Sequence, residues 1–300
     1  SFLLRVQRHQ PTEDEPCMRP SDWIYIALLA LLLGGCSTTQ KVTQAPQQGT
    51  GGESRTEQRV PMYSDKAYRE LVRKYTVDDG EKVDYEAWKA NEEDMRALDR
   101  HIELIARVSP ANHPEQFKSR SSRRSYWINS YNALVLHAVL EYWPLDSVRD
   151  VRISFSSRVV PGKGFFYDRK ITVGGVETSL YQMEKEVLAN QKDPRLHFAL
   201  NCGSESCPVL RPWEWNDEDL DQAARDFVNN PENVAVEDDR LMVSTIFKWY
   251  KKDFPSDLNT YLQQFADPDL LADLRNAREQ GYPVKYREYD WSLNADETGS

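Results

Sequence analysis

Ser125–Trp143 reads SYWINSYNALVLHAVLEYW and is followed at once by Pro144. Wound at 3.6 residues per turn, its apolar side chains cover most of the circumference. The stretch is therefore a helix buried on nearly all sides, not a surface helix with one apolar stripe. The proline ends it, because the residue before a proline is pushed out of the helical region. Asn129 and Asn132 stand three apart and share a face of this helix. A buried amide has to be satisfied: it holds neighbouring loop backbone, or it meets a substrate amide or a catalytic imidazole.

Working outward, Ser64 is placed to cap a helix carrying Tyr68, Leu71, Val72 and Tyr75 at helical spacing. A second helix is expected after Asp84, with Trp88, Met95, Leu98, Ile102 and Ile105 on one stripe and Pro110 beyond its end. Downstream of the buried helix the period changes. Strands are expected over Val151 to Val160 and in KITVGGVETSL, where Gly174-Gly175 makes a two-residue hairpin turn. Ser179 and Gln182 have capping-box spacing for a helix reaching about Ala189. A strand, RLHFAL, then enters the turn NCGSESCP. Further on come a helix from Asp217 to Asn229, a strand from Leu241 to Phe247 and a short helix from Ser256 to about Phe265. A helix capped by Asp267, with Pro268 at its first position, ends near Glu279, and a last strand from Val284 to Trp291 would close the sheet. Together these give one α+β domain over residues 62–296, with the central buried helix packed on a mostly antiparallel sheet.

The ends of the chain read differently. Ile24 to Leu33 is IYIALLALLL, preceded by Met18 and Arg19, too short to span a bilayer but suited to the apolar core of a signal peptide. It runs into Leu33-Gly34-Gly35-Cys36, which resembles the lipobox of bacterial lipoproteins. The resemblance implies residues 1–36 as a signal region ending at an acylated Cys36, with the lipid bilayer as partner. Ser37 rather than an aspartate follows, so the implied location is the cell envelope, at the outer membrane facing the periplasm. Ser1 to Cys17 precede the start that Met18 offers and read as an over-extended frame. Residues 37–61, rich in Gln, Thr and Gly, read as a flexible tether reaching about 25–30 Å.

Eight Trp, fifteen Tyr and ten Phe supply the surfaces for a packed core. With 38 basic against 48 acidic residues the net charge is −10, which argues against nucleic acid as a partner.

Several ordered motifs go beyond composition: YWINSYNALVLHAVLEYWP, GFFYDRKITVGGVETSL, MEKEVL, DPRLHFALNCGSESCPVL and YDWSLN. From about Val83 to Asn294 the chain resembles the bacterial family called domain of unknown function 547. That family is similar in pattern to the papain and transglutaminase-like cysteine hydrolases, which implies a papain-like variant of the α+β fold. The family often has Glu-His where this chain has Glu184-Lys185, so a catalytic imidazole has to come from elsewhere.

Of the five histidines, His197 lies nearest in sequence to Cys202. Cysteine catalysis needs a thiolate, an imidazole beside it and a group orienting that imidazole. Cys202 as nucleophile, His197 as base and Glu184 as orienter fill these roles, with Gly203 and Ser204 supplying backbone oxyanion donors and Asn129 and Asn132 binding substrate amides. This reads as a hydrolase or acyl-transferase acting on a peptide or isopeptide. Two other readings stay open. Cys202 and Cys207 could close a disulfide in a module that binds a peptide, a small thiol or a partner protein, or they could exchange with external thiols. A zinc site from His197 and both cysteines lacks a fourth ligand, so no metal or cofactor is expected. Lys118, Arg120, Arg123 and Arg124 form the dense basic run, which reads as solvated surface or as an attractor for anionic groups.

Overall fold

The computed structural model describes residues 60–296, and from Pro61 onward the chain forms one unit. The signal region, Cys36 and all of the tether except residues 60 and 61 lie outside the described residues.

Helix α1 (Lys66–Tyr75) buries Tyr68, Leu71, Val72 and Tyr75, the stripe read from the sequence. A small hairpin follows, β1 (Thr76–Val77) with β2 (Lys82–Val83), which the pattern did not suggest. The helix expected after Asp84 is two. Asp84 caps α2 (Tyr85–Ala90) through the Ala87 amide. Asn91 closes α2 in an extended conformation and caps α3 (Glu92–Arg107) through the Asp94 amide. Asn competes for backbone in this way, so it ends one helix and starts the next.

The central helix α4 (Arg120–Tyr142) starts five residues before its apolar run, because Ser119 and Ser122 form a reciprocal capping box there. Ile128 and Leu134 to Leu136 are almost wholly buried, each worth about 1.5–3 kcal/mol. The expected strand over Val151 to Val160 is absent. Ser157 is buried, its hydroxyl accepting from the Ile153 and Ser154 amides, and this local bonding folds the segment into turns. A π-helical turn follows at Gly164–Asp168, where a Cβ on Gly164 would lie 2.1 Å from the Val151 carbonyl oxygen.

The hairpin of β3 (Ile171–Val173) and β4 (Val176–Thr178) turns on Gly174-Gly175 as expected, with φ of 56° and 83°. Ser179 caps α5 (Leu180–Gln191). RLHFAL is not a strand: Asp193 and Pro194 initiate a 3-10 turn over Pro194–Phe198. Beyond lie α6 (Asp217–Asn229), β5 (Val234–Glu237), β6 (Arg240–Val243), α7 (Ile246–Trp249), α8 (Leu258–Leu262), α9 (Pro268–Gln280) and β7 (Val284–Tyr286). β5 and β6 are antiparallel, while β7 joins β6 in parallel because α9 carries the chain back before it.

The fold class is α+β. Among the described residues the strands form three small separate sheets, and the principal neighbours of α4 are the helices α3 and α5. Among the described residues no helix is long and apolar enough to cross a membrane.

Candidate functional site

Asn132, buried on α4, builds the loop that carries the cysteines. Its Nδ2 donates to the Ala199 carbonyl and its Oδ1 accepts from the Asn201 amide, both at 2.9 Å. Asn201 in turn accepts from the Gly203 amide at 2.8 Å and donates to the Pro208 carbonyl at 2.7 Å. The loop is thus tied across its neck by two buried amide side chains. Gly203 sits at φ 83°, where a Cβ would crowd Val148 and Val139 of the core.

The neck holds Cys202 and Cys207 close enough to be joined as a disulfide. Ser204 Oγ lies 3.2 Å from Cys202 Sγ and 3.3 Å from Cys207 Sγ. Tyr289 Oη lies 3.2 and 3.1 Å from the same two sulfurs, and the Cys202 amide points at Cys207 Sγ from 2.9 Å. Ser204 and Tyr289 also meet each other at 3.1 Å. Both sulfurs are half-buried, inside a ring of hydrogen-bond donors.

Tyr289 comes from the C-terminal stretch YDWSLN. Residues 292–294 run antiparallel to 203–205, with the Glu205 amide on the Ser292 carbonyl and the Asn294 amide on the Gly203 carbonyl. Ser147 holds the Trp291 carbonyl at 2.6 Å, and Tyr85 holds the Asn294 side chain at 2.9 Å. The ring of Tyr289 packs 4.7 Å from Trp249 and 4.6 Å from Trp291, an aromatic wall beside the sulfurs. Lys82 of β2 pairs with Glu205 of the loop. Cys207, not Cys202, opens on a cleft of about 690 Å³ lined also by Glu205, Ser206, Arg211, Arg287 and Asp290.

The other expected site residues lie elsewhere. His197, on its 3-10 turn, gives Nε2 to Asp253 at 3.0 Å, and its ring packs 4.1 Å from Tyr250 and 5.3 Å from Phe254. That hydrogen bond holds the Asp253 carboxyl below the usual carboxylate range. Glu184 accepts from Tyr131 at 3.1 Å and from Tyr250 at 2.5 Å, so it reaches His197 only through the Tyr250 ring. The Gly203 amide, expected as an oxyanion donor, is spent on Asn201. Asn129, expected to bind substrate, donates to Asp65 and the Trp213 carbonyl and accepts from Trp215 Nε1, which fills its amide. Both asparagines hold loops, because an amide on a buried helix is best satisfied by the backbone packed against it. Within the basic run, Arg124 is buried on the Trp215 carbonyl and Asp217.

The stretch that folds this neck can be compared with known proteins. Residues 114–228 match the model of the family described as protein of unknown function, DUF547. The matched DUF547 stretch holds α4, the hairpin of β3 and β4, α5 and both cysteines, whereas Tyr289 and Trp291 lie beyond it. No curated protein and no solved structure matches the chain. Among the described residues no group of three His, Cys, Asp or Glu side chains is placed to hold a metal ion.

The sequence reading missed Tyr289, Trp249, Asn201 and Asp253. YDWSLN was the available signal, since a dense aromatic motif so far from the core helix needed something to pack on.

Proposed function

We propose that the chain is a thiol–disulfide exchange protein whose working group is the Cys202–Cys207 pair. The observation that carries this reading is the ring of donors around the sulfurs: two hydroxyls and one backbone amide, placed where a thiolate would need them. An incoming thiolate from a peptide or small thiol reaches Cys207 Sγ through the cleft. It forms a mixed disulfide there, and Cys202 leaves as a thiolate that accepts from Ser204 and Tyr289. A second thiol, deprotonated, attacks the external sulfur and releases Cys207 as its thiolate. The net change is two thiols oxidised to a disulfide and the protein pair reduced to two thiols; the reverse sequence oxidises a substrate dithiol.

The hydrolase or acyl-transferase reading uses the same Cys202 once reduced, and the His197–Asp253 pair is what favours it. It also requires His197 to turn from Asp253 to the sulfur, and an oxyanion donor other than the Gly203 amide. Attachment to the cell envelope through acylated Cys36 belongs to this proposal too and rests on the lipobox pattern alone.

Trapping tests the exchange reading. With the full chain reduced beforehand and a peptide disulfide added, Cys202→Ser should accumulate a mixed disulfide on Cys207, mapped by mass spectrometry, while the unsubstituted chain reduces the peptide to its thiols, closes its own Cys202–Cys207 disulfide and shows no adduct. Absence of the adduct in Cys202→Ser, together with steady peptide-bond hydrolysis by the reduced chain, would replace exchange with the hydrolase reading.

A further inference from the structure

We propose that loop 151–160 is a membrane-contact element that sets Ile153, Phe155 and Val159 into the surface of an anionic lipid bilayer. These side chains are 47, 82 and 68 % exposed. Single exposed apolar residues are ordinary, but three within seven residues of one loop form a patch.

The loop is stiffened from beneath. Ser157 is fully buried, and its hydroxyl takes the Ile153 and Ser154 amides at 2.9 and 2.8 Å. Asp168, from the π-helical turn, accepts from Ser154 Oγ at 2.5 Å and from Lys163 Nζ at 2.7 Å. The Gly162 amide closes on the Arg149 carbonyl at 3.1 Å. Since the apolar side chains stand on a fixed base, little ordering is lost when they are buried.

Charge selects the occupant. Arg152 and Arg158 flank the apolar residues and are exposed. Between residues 149 and 170 there are six basic and two acidic side chains, in a chain whose net charge is −10. Arg152 pairs with Asp150, Lys163 with Asp168, Arg169 with Glu141 and Lys170 with Glu177, so the local excess of positive charge is carried chiefly by Arg149 and Arg158. A basic, apolar loop on an acidic protein fits a negatively charged lipid surface, which concentrates each nearby arginine about fivefold. Phe155 adds about tenfold or more through its buried area.

Hydrogen exchange tests this on the full chain, whose N-terminal apolar run is common to every arm. The chain is mixed with vesicles of phosphatidylglycerol and phosphatidylcholine, or of phosphatidylcholine alone. Exchange in residues 151–163 should slow about fivefold or more on the anionic vesicles only, while residues 234–243 stay unchanged. Phe155→Ser and the double variant Arg152→Ser, Arg158→Ser should both lose that protection, with unchanged exchange in 125–142 showing that the fold is intact. Equal exchange on both vesicles, or protection that survives Phe155→Ser, would overturn the proposal. So would protection that rises with protein concentration without lipid, which would mark a contact between protein copies.

Discussion

Asn132→Ala should cost the fold stability rather than a ligand. The side chain is 1 % exposed and carries two bonds of 2.9 Å, to the Ala199 carbonyl and from the Asn201 amide. Both partners are buried backbone groups in the neck of the cysteine loop, and alanine reaches neither. Each group left unsatisfied costs about 1–3 kcal/mol, so the pair costs about 2–6 kcal/mol, or about 3 kcal/mol once the desolvation no longer owed by the lost side-chain amide is credited. For a domain of this size, urea unfolding with a slope of about 2–3 kcal/mol/M turns that into a midpoint about 1 M lower, measured with the disulfide kept intact. Asn132→Asp should not rescue it, because a carboxylate still accepts from Asn201 but sets an oxygen against the Ala199 carbonyl. A midpoint within about 0.3 M of the unsubstituted chain would refute the reasoning. Unchanged stability with lost peptide binding would return Asn132 to a substrate-binding role.

Burial pushes the His101 imidazole down to about 4, and its Nε2 has no hydrogen-bond partner. Between its unfolded value near 6.5 and about 4 the unfolded chain binds the extra proton, so this contribution is present above pH ~6.5 and is lost as pH falls toward ~4, up to about 3 kcal/mol. His101→Phe, which keeps the stack on Tyr68, should flatten that part of a denaturation-against-pH curve. In the β3–β4 turn, Gly175→Ala meets no atom within 4 Å and should cost only the strain of φ 83°, about 1 kcal/mol. Gly174→Ala would also place a Cβ 2.1 Å from Ser109 Oγ, and its melting temperature should fall clearly further. Tyr289→Phe removes a hydroxyl 3.2 Å from Cys202 Sγ; alkylation of the reduced chain should report a Cys202 pKa higher by about one unit.

The sequence made legible what local chemistry decides. Ser179 and Asp267 cap their helices, Gly174-Gly175 turns its hairpin, and the apolar run of α4 is the core. It misled where a short polar residue outbid the pattern: Asn91 split a helix, Ser157 coiled a β-branched segment, and Asp193-Pro194 wound RLHFAL into a 3-10 turn. At the site, the cysteines and Ser204 could be named from one turn. His197 also looked catalytic because it is the imidazole nearest Cys202 in sequence, and Glu184 because a carboxylate could orient that imidazole. Their real partners, Asp253 and Tyr250, stand more than fifty residues away in sequence, as Tyr289 does from the sulfurs, and only folding brings them together.

The most direct test is a redox titration of the native full chain in buffers of graded dithiol-to-disulfide ratio, with Cys202 and Cys207 alkylation read by mass spectrometry. Exchange chemistry predicts that the pair opens and closes reversibly without loss of fold, at a midpoint above about −300 mV, the range below which structural disulfides lie. A pair that stays oxidised until the chain unfolds would contradict it, and would leave Cys202–Cys207 as a clasp on the loop.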